Sequence, residues 1–279
     1  MSELEKRMSG FRKWLEIQQG LSQRTAECYG HSVQMALKQT GKLRPGEKDL
    51  EAYRDGMLEN GKSRSYVRNM CKAFRWYGLF VGDDLIIKKP PVGKAKLPEY
   101  LTEQEVQEIL YVVDNIRDYA LLSTLAYSGL RTIELCNLNT EDVDFESRII
   151  RIHNGKGGKD AEIPISQKCL DAIKQYLEHK PQACKGHGKA LFLTIDGTRI
   201  TPRRVRRIVK KYGLKANVKK NVHPHMFRHA LATNLLRQGC PLPFVQRQLR
   251  HSRIETTMIY LHIDNGMLKD AYDKFVPEY

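Results

Sequence analysis

Two histidines, two arginines and a tyrosine along the chain have the chemistry needed to cut a phosphodiester. His225 and Arg228 are three residues apart, and His251 is followed nine residues later by Tyr260. An earlier Ser-Gly-Leu-Arg segment supplies the second arginine, Arg131. Arginine suits a phosphate because its planar fork donates two hydrogen bonds and keeps its charge at any working pH. Histidine can donate to the same oxygens or carry a proton near neutrality.

Tyr260 is the candidate nucleophile of this set. A phenol with a pKa near ~10 is a poor nucleophile unless cations stabilise the charge that develops on the phosphorane. With 13 tyrosines in the chain, a packed aromatic ring is the alternative, and the position after the histidine–arginine set favours the nucleophile. For Arg131 the alternative is a helical ion pair with Glu134, which we expect instead to orient it. His229 is best interpreted as a core histidine.

A glycine-rich turn supplies candidates for the acid that protonates the leaving 5′-oxygen. Lys156 and Lys159 lie in this turn, between isoleucine-rich segments at 148–153 and 161–165. The composition predicts two strands joined as a hairpin. Ordinary solubility of a turn is the alternative for both lysines. Residues 190–194 are predicted as a third strand, followed by a turn at Asp196-Gly197.

The composition favours a polyanionic partner. The 279 residues include 47 Lys and Arg against 32 Asp and Glu, a formal charge of +15. Binding a polyanion releases counterions, which a basic protein exploits. The six cysteines form no Cys-x-x-Cys pair, which is typical of thiols in a reducing compartment. The charged N-terminus does not resemble a signal peptide and no apolar run is long enough to span a bilayer, so we expect a cytoplasmic protein.

The elements that must position these residues fall into two predicted domains. Residues 1–84 have helical periodicity throughout, and Ser22 is a predicted N-cap. Residues 85–97 contain prolines, which cannot continue a helix, and several lysines, so the segment is predicted to be a basic linker. Residues 98–279 combine helices with the hairpin, beginning with a capping box at Thr102 and Glu105. The predicted fold class is mainly α with a small β-sheet.

Two basic segments are candidate DNA-contacting surfaces. The linker is one, with mere spacing as its alternative. The other is a helix predicted to begin at Thr201-Pro202, whose apolar residues recur at i, i+3, i+4 and i+7 and leave the basic residues on the opposite side. The lysines of the linker are Lys88, Lys89, Lys94 and Lys96, and the basic residues of the helix are Arg203, Arg204, Arg206, Arg207, Lys210 and Lys211.

Taken together, these segments resemble the tyrosine recombinase family, which includes phage-type integrases and Xer-like site-specific recombinases. SGLRTIEL at 128–135 is similar to its first arginine box, GKGGKDAEIPI at 155–165 to its lysine hairpin, and HPHMFRHALAT at 223–233 to its HxxR box. LRHSRIETTMIYLH at 249–262 is similar to its histidine and nucleophile segment. Residues 21–33 resemble its helical core-binding domain. One position departs, since the family often has glycine where this chain has Arg250.

The resemblance implies a fold, a site and a reaction. The family roles fall on Arg131, Lys156, His225, Arg228 and His251 around Tyr260. It implies a 3′-phosphotyrosyl intermediate formed without metal, ATP or another cofactor. It also implies a homotetramer, monomeric or dimeric when free, on double-stranded DNA with inverted-repeat sites in a prokaryotic cytoplasm or nucleoid. The tail at 266–279 is expected to pack on its own domain or to dock on a neighbouring protomer.

Three alternatives stay open at this point. A catalytically inactive DNA-binding homologue would need to have lost one of the six residues, and all six are present. A type IB-like topoisomerase would share the chemistry without pairing sites. A metal-dependent nuclease would need a carboxylate cluster or HExxH spacing, which the sequence lacks, so we predict no metal site. Chromosome-dimer resolution, element integration, excision and inversion are all compatible with these residues as the natural task.

Overall fold

The computed structural model describes residues 2–92, 99–153, 160–258 and 260. In these ranges the chain is mainly helical with one small antiparallel sheet, which confirms the predicted fold class. The chain divides into two compact units, Met1–Lys96 and Leu97–Tyr279. None of the described helices combines the length and the apolar character needed to cross a membrane. Among the described residues, no group of three or more His, Cys, Asp or Glu is arranged to hold a metal ion.

The first unit contains four described helices around one aromatic core. Ser22 accepts a hydrogen bond from the amide of Thr25, which confirms it as an N-cap, and Ser63 caps the last helix in the same way. The rings of Phe11 and Tyr77 meet edge to face inside the core, with their centroids 5.3 Å apart. The helices are α1 (Glu3–Ile17), α2 (Gln23–Thr40), α3 (Glu47–Glu59) and α4 (Arg64–Val81).

The chain that follows α4 is extended and packs on the first unit. Leu85 and Ile87 are buried in its core. The guanidinium of Arg54 donates to the carbonyl oxygen of Lys88 at 2.7 Å. The first residues of the segment interpreted from sequence as a linker are therefore attached to the helices that precede them.

In the second unit, eight described α-helices, one short 3-10 helix (Thr140–Asp142) and the sheet pack around a larger core. Thr102 and Glu105 form the predicted capping box, and Gly129 ends the central helix in the left-handed conformation at a φ of +66°, as expected. The helices are α5 (Glu103–Tyr111), α6 (Ile116–Ser128), α7 (Thr132–Asn137), α8 (Gln167–Glu178), α9 (Pro202–Lys215), α10 (Pro224–Arg237), α11 (Leu242–Leu249) and α12 (Glu255–Met258).

The sheet has three described antiparallel strands in the order β1 (Val143–Asp144), β2 (Ile149–Ile152) and β3 (Ala161–Pro164). Strands β2 and β3 are the two predicted from sequence, with Ile150 opposite Ile163. The prediction of a strand at 190–194 is wrong. Ala190 and Leu193 form only isolated bridges, and the three apolar residues from 191 to 193 are all buried, so this segment is an irregular loop inserted in the core.

Helix α9 separates its residues as the sequence predicts. Val205, Ile208, Val209 and Tyr212 are buried in the core of the second unit. All the basic residues predicted for the opposite side are exposed. The face is only partly free of acidic partners, because Lys211 lies 3.6 Å from a carboxylate oxygen of Asp114. Of the linker lysines, Lys88 and Lys89 are exposed, while Lys94 and Lys96 lie outside the described residues.

Candidate active site

Arg131 is positioned by the turn between α6 and α7. Its backbone amide donates to Glu134 Oε2 and its Nη1 to Glu134 Oε1, each at 2.7 Å. The ion pair weighed from the sequence therefore exists, and because both contacts fix the turn it also orients the guanidinium. Gly129 is needed here, because its positive φ disfavours other residues and a Cβ would lie 2.9 Å from the Leu249 side chain.

Arg228 connects three elements at the centre of the site. It lies in α10, is only 4% exposed, and donates to the carbonyl oxygens of Gly129 after α6 and Leu249 at the end of α11. Burial, with the charges of Arg131 and Arg250, lowers its pKa to about 9. The guanidinium therefore stays charged at neutral pH and serves as the fixed cation of the site.

His225 lies in the first turn of α10, which begins at Pro224 as predicted. Three residues of helix place it on the same side as Arg228. Desolvation of its ring, followed by the charge of Arg228, lowers its pKa. The neutral imidazole is therefore favoured near pH 7, and it can donate one ring N–H.

His251 follows α11 and faces the same region. Its Nδ1 lies 2.7 Å from Thr257 Oγ1, which fixes the orientation of the ring. Burial and the charges of Arg228 and Arg131 lower its pKa to about 4. A neutral ring whose Nδ1 is occupied by Thr257 leaves Nε2 as the atom available to a ligand.

Tyr260 is buried and hydrogen-bonded. Its ring is 2% exposed and lies over the ring of His251, with centroids 6.4 Å apart and planes 16° from parallel. Its hydroxyl lies 2.7 Å from Nδ1 of His229. Burial raises the pKa of the phenol, and the charge of Arg228 opposes that rise. Tyr260 is buried in a small hydrophobic cluster, whose other buried members are Ala232, Leu236, Val245 and Leu249.

The candidate residues lie close enough to interact electrostatically. The charge of Arg228 acts to lower the pKa of each titratable candidate around it, and these are His225, His251 and Tyr260. Arg131 in turn lowers the pKa of Arg228. The structure therefore brings together five of the six residues selected from the sequence. The sixth, Lys156, and the competing Lys159 lie outside the described residues.

A cleft of about 1130 Å³ opens beside this cluster. Arg131 and His251 line it, while Tyr260 is not among the described residues of its wall. The phenol therefore lies behind the wall, held by His229. The lining residues are Arg131, Arg151, Ile152, His153, Asp160, Ala161, Glu162, Pro243, Gln246, Arg247, Arg250, His251 and Ser252.

Two side chains of the site were not assigned a role from the sequence. His229, interpreted as a core histidine, is the partner of the Tyr260 hydroxyl. Gln248 donates from Nε2 to the carbonyl oxygens of Ser128 and Pro164, both at 3.2 Å, and so attaches α11 to the last residues of α6 and β3. No local pattern identifies Gln248, because both of its partners are backbone atoms that are distant in sequence.

Comparisons with known proteins identify the relatives of this chain. Residues 99–267 match the model of the phage integrase family. The tyrosine recombinase XerA of Pyrococcus horikoshii is 34% identical over 270 residues, covering 95% of this chain and 91% of that protein. The crystal structure of XerA recombinase covers 98% of this chain and 100% of its own, with 29% identity and a TM-score of 0.60. XerH, solved with a palindromic difH substrate, has a TM-score of 0.74 at 20% identity, covering 95% of this chain and 84% of its own.

The class of protein is thereby defined. The chain belongs to the phage integrase family and, within it, to the tyrosine recombinases. Members of this class are site-specific DNA recombinases, and this protein is an enzyme of that kind.

Proposed function

We propose that this protein cleaves one DNA strand at a time by attack of Tyr260 on a phosphodiester. The new bond joins the phenolic oxygen to phosphorus, and the bond from phosphorus to the 5′-oxygen breaks. The products are a 3′-phosphotyrosyl ester and a free 5′-hydroxyl. The main support is that two histidines and Tyr260 all lie within electrostatic reach of one buried guanidinium, Arg228.

The cationic residues are proposed to bind the non-bridging oxygens of the scissile phosphate. Arg131 lines the cleft and can donate in the bidentate manner that suits a phosphate. Arg228 is held rigidly by two carbonyl oxygens, so its charge needs no reorganisation as the phosphorane forms. His225 and His251, neutral at pH 7, can each donate one ring N–H to the same oxygens.

Proton transfer completes the balance of this step. The phenol gives its proton to water in the cleft as it attacks, and the departing 5′-oxygen must gain one. Lys156 of the hairpin turn is our proposal for the acid, with Lys159 as the competing candidate. The reverse attack by a 5′-hydroxyl from a partner duplex uses the same groups in the opposite direction.

The energy of the broken phosphodiester is conserved in the phosphotyrosyl ester. The proposed cycle therefore requires neither ATP nor a metal. We propose that four protomers act together on two sites with inverted repeats, because exchange needs two cut duplexes held side by side. DNA is the partner in the XerH structure, and by analogy double-stranded DNA is the partner proposed here.

DNA binding is proposed to use both units. Residues 1–84 would form a helical core-binding domain, 85–97 a basic linker and 98–279 the catalytic domain. The exposed basic face of α9 supports phosphate contacts by the second unit. Lys88 and Lys89 are exposed and belong to the same proposal.

In its observed position, Tyr260 is not placed for attack, and we interpret this as the resting state of the enzyme. A buried phenol with a raised pKa, bonded to His229, does not attack a phosphate in the cleft. We propose that DNA binding moves the ring towards the cleft, where Arg131 and Arg228 stabilise the phenolate. The same movement would break the bond to His229.

A nicked duplex tests this proposal because it loses its short 5′-end after cleavage and traps the covalent intermediate. We expect wild-type protein to form a complex that survives denaturation, with and without EDTA. Tyr260→Phe should form none. Tyr111→Phe is the matched control and should behave as wild type. It removes a hydroxyl from a ring that is 90% exposed and is not one of the candidate residues.

Each outcome separates one alternative. A covalent complex with Tyr260→Phe would refute the assignment of the nucleophile. Loss of activity in EDTA would favour a metal-dependent nuclease, and no complex with any protein would favour an inactive homologue. Relaxation of a supercoiled plasmid that carries no paired sites would favour a topoisomerase.

A further inference from the structure

Arg250 has a backbone conformation that favours glycine. It follows the last residue of α11 with a φ of +54° and a ψ of +47°, in the left-handed region. A non-glycine residue is strained there, and such strain is concentrated at functional sites. The Arg250 side chain is therefore expected to have a specific function.

The Arg250 side chain is built into the wall of the cleft. It is 12% exposed, and its Nη2 lies 2.6 Å from Glu134 Oε2. The other oxygen of the same carboxylate binds Arg131 Nη1 at 2.7 Å. Arg131 also donates from Nη2 to the carbonyl oxygen of Arg250 at 3.4 Å. One carboxylate thus holds two arginines, 119 positions apart, as a single unit on the cleft.

The donors of Arg250 are incompletely used within the described part of the chain. Nη1 donates to the carbonyl oxygen of Gln248 at 3.0 Å, and Nη2 is used by Glu134. Nε is buried and has no hydrogen-bond partner among the described residues. An unpartnered charged donor is costly in a protein interior, and an oxygen acceptor arriving from the cleft would satisfy it after a small shift.

The charged side chains around Glu134 have a net positive charge, which favours the binding of an anion. Arg131, Arg228 and Arg250 act on one another, and Glu134 forms ion pairs with Arg131 and Arg250. Three positive charges against one negative leave two positive charges. A phosphodiester carries one negative charge, and the phosphorane formed by a phenolate carries two. Without Arg250 the net positive charge of the cluster would balance only the phosphodiester of the ground state. With Arg250 it balances the two negative charges of the phosphorane, which resembles the transition state.

We propose that Arg250 is a third phosphate-binding arginine, which Glu134 holds beside Arg131 so that both contact the scissile phosphodiester. This inference rests on the proposed function. It assigns Glu134 as a positioning residue that acts through the two guanidinium groups. It also explains why an arginine occupies a backbone position at which glycine would be unstrained.

The test compares two substrates with two glycine variants. Arg250→Gly removes the side chain and relieves the strained backbone. Arg148→Gly is the matched control, because Arg148 has a nearly identical φ of +55°, is exposed, and lies outside the cleft. Nicked duplexes carry either a normal phosphate or an uncharged methylphosphonate at the scissile position. The rate of covalent complex formation is measured at saturating protein, so that DNA affinity does not enter.

We expect Arg250→Gly to cleave the phosphodiester about 100-fold more slowly than wild type, the size of loss typical for one transition-state donor. On the methylphosphonate the difference from wild type should shrink to below about 10-fold, because there is less charge to neutralise. Arg250→Lys should recover part of the phosphodiester rate. Arg148→Gly should match wild type on both substrates.

Three results would overturn the inference. Equal rates for Arg250→Gly and wild type on the phosphodiester would remove any role in cleavage. An equal loss on both substrates would indicate a structural role, as would Arg250→Lys being no better than Arg250→Gly. If wild type forms no covalent complex, the proposed function itself fails, whereas a normal wild-type rate with an unaffected Arg250→Gly rate refutes only this inference.

Discussion

The hydroxyl of Tyr260 and Nδ1 of His229 lie 2.7 Å apart. Burial, with the charges of His225 when it is protonated and of Arg228, lowers the pKa of His229 to about 4, so its ring is neutral near pH 7. We assign the phenol as donor and the unprotonated Nδ1 as acceptor, since the phenol is the stronger acid. The bond satisfies a buried hydroxyl and keeps the proposed nucleophile protonated and outside the cleft.

A double-mutant cycle measures this relationship. Tyr260→Phe and His229→Leu each remove one partner, and each should lower the free energy of unfolding by about 1–2 kcal/mol because a buried polar group loses its partner. In the double variant no partner is left unsatisfied, so the losses should fall short of additive by about 1 kcal/mol. Urea unfolding monitored by circular dichroism gives all four values.

The same cycle with His251→Asn is the control. His251 contacts the Tyr260 ring rather than its hydroxyl, and its Nδ1 is bonded to Thr257. Tyr260→Phe should therefore lower the free energy of unfolding by the same amount whether residue 251 is histidine or asparagine. Additivity in the His229 cycle would show that the Tyr260–His229 bond contributes nothing to the folded state.

Arg228 should be more important for stability than Arg131. The Arg228 side chain is buried and donates to two carbonyl oxygens, both of which Arg228→Ala would leave without this donor. We expect a loss of about 2 kcal/mol for Arg228→Ala, because two carbonyl oxygens lose a charged donor while repulsion from Arg131 and Arg250 is relieved. Arg131→Ala should cost about 1 kcal/mol, because Arg131 is partly exposed and Glu134 keeps Arg250. Equal losses in urea unfolding would contradict this difference.

Both arginines should matter for cleavage even where the protein is folded. Arg131→Ala and Arg228→Lys should slow formation of the covalent complex about 100-fold or more, as expected for loss of transition-state charge stabilisation. Binding of the intact duplex should change far less, because many other basic residues contact phosphates. Parallel gel-shift and cleavage assays separate the two effects. Equal losses in both assays would recast these residues as DNA anchors.

Stability should decrease as the pH falls from about 6.5 to about 4. His229 and His251 both have folded-state pKa values of about 4, against 6.5 for an unperturbed histidine. Between these values the unfolded chain binds protons that the folded chain does not, so protonation favours unfolding. The stability is fully present above pH 6.5 and is lost as the pH falls towards 4, by at most about 3 kcal/mol for each ring and less where solvent screens it.

The two single variants isolate each contribution. His251→Asn and His229→Asn should each have a shallower dependence of unfolding free energy on pH in that window, because each removes one titrating ring. An unaltered slope in both site variants would rule out these histidines as the cause.

The local parts of this fold were predictable from sequence, and the long-range contacts were not. Helix α10 could be placed because Pro224 fixes its start and a helix sets the spacing of His225 and Arg228. The end of α6 could be placed because Gly129 supplies a positive φ. These predictions needed only neighbouring residues, and they were confirmed.

Contacts between distant segments decide the rest of the site. His229 contacts the ring of Tyr260 31 positions later, and nothing in its own helix indicates that partner. Arg250 departs from the family pattern, but its contact with Glu134 depends on long-range packing that brings the residue after α11 close to α7. The false third strand at 190–194 has a related cause, since a continuous apolar run indicates burial without indicating pairing. Leu193 is buried, yet it forms only one isolated bridge.

The basic face of α9 should determine part of the salt dependence of DNA binding. Each phosphate contact contributes about −0.9 to the slope of log K against log salt, so losing one contact should reduce the slope by about one unit. Arg203→Gln, Arg204→Gln and Arg207→Gln test this, because these side chains are exposed and form no ion pair with the described residues. Lys211→Gln is the matched control, because its Nζ lies 3.6 Å from Asp114, a carboxylate that it shares with Lys215. Slopes that are measured by fluorescence anisotropy and do not change in the arginine variants would exclude α9 from the DNA interface. A change in Lys211→Gln as large as that in the arginine variants would show that the pairing with Asp114 is broken on DNA.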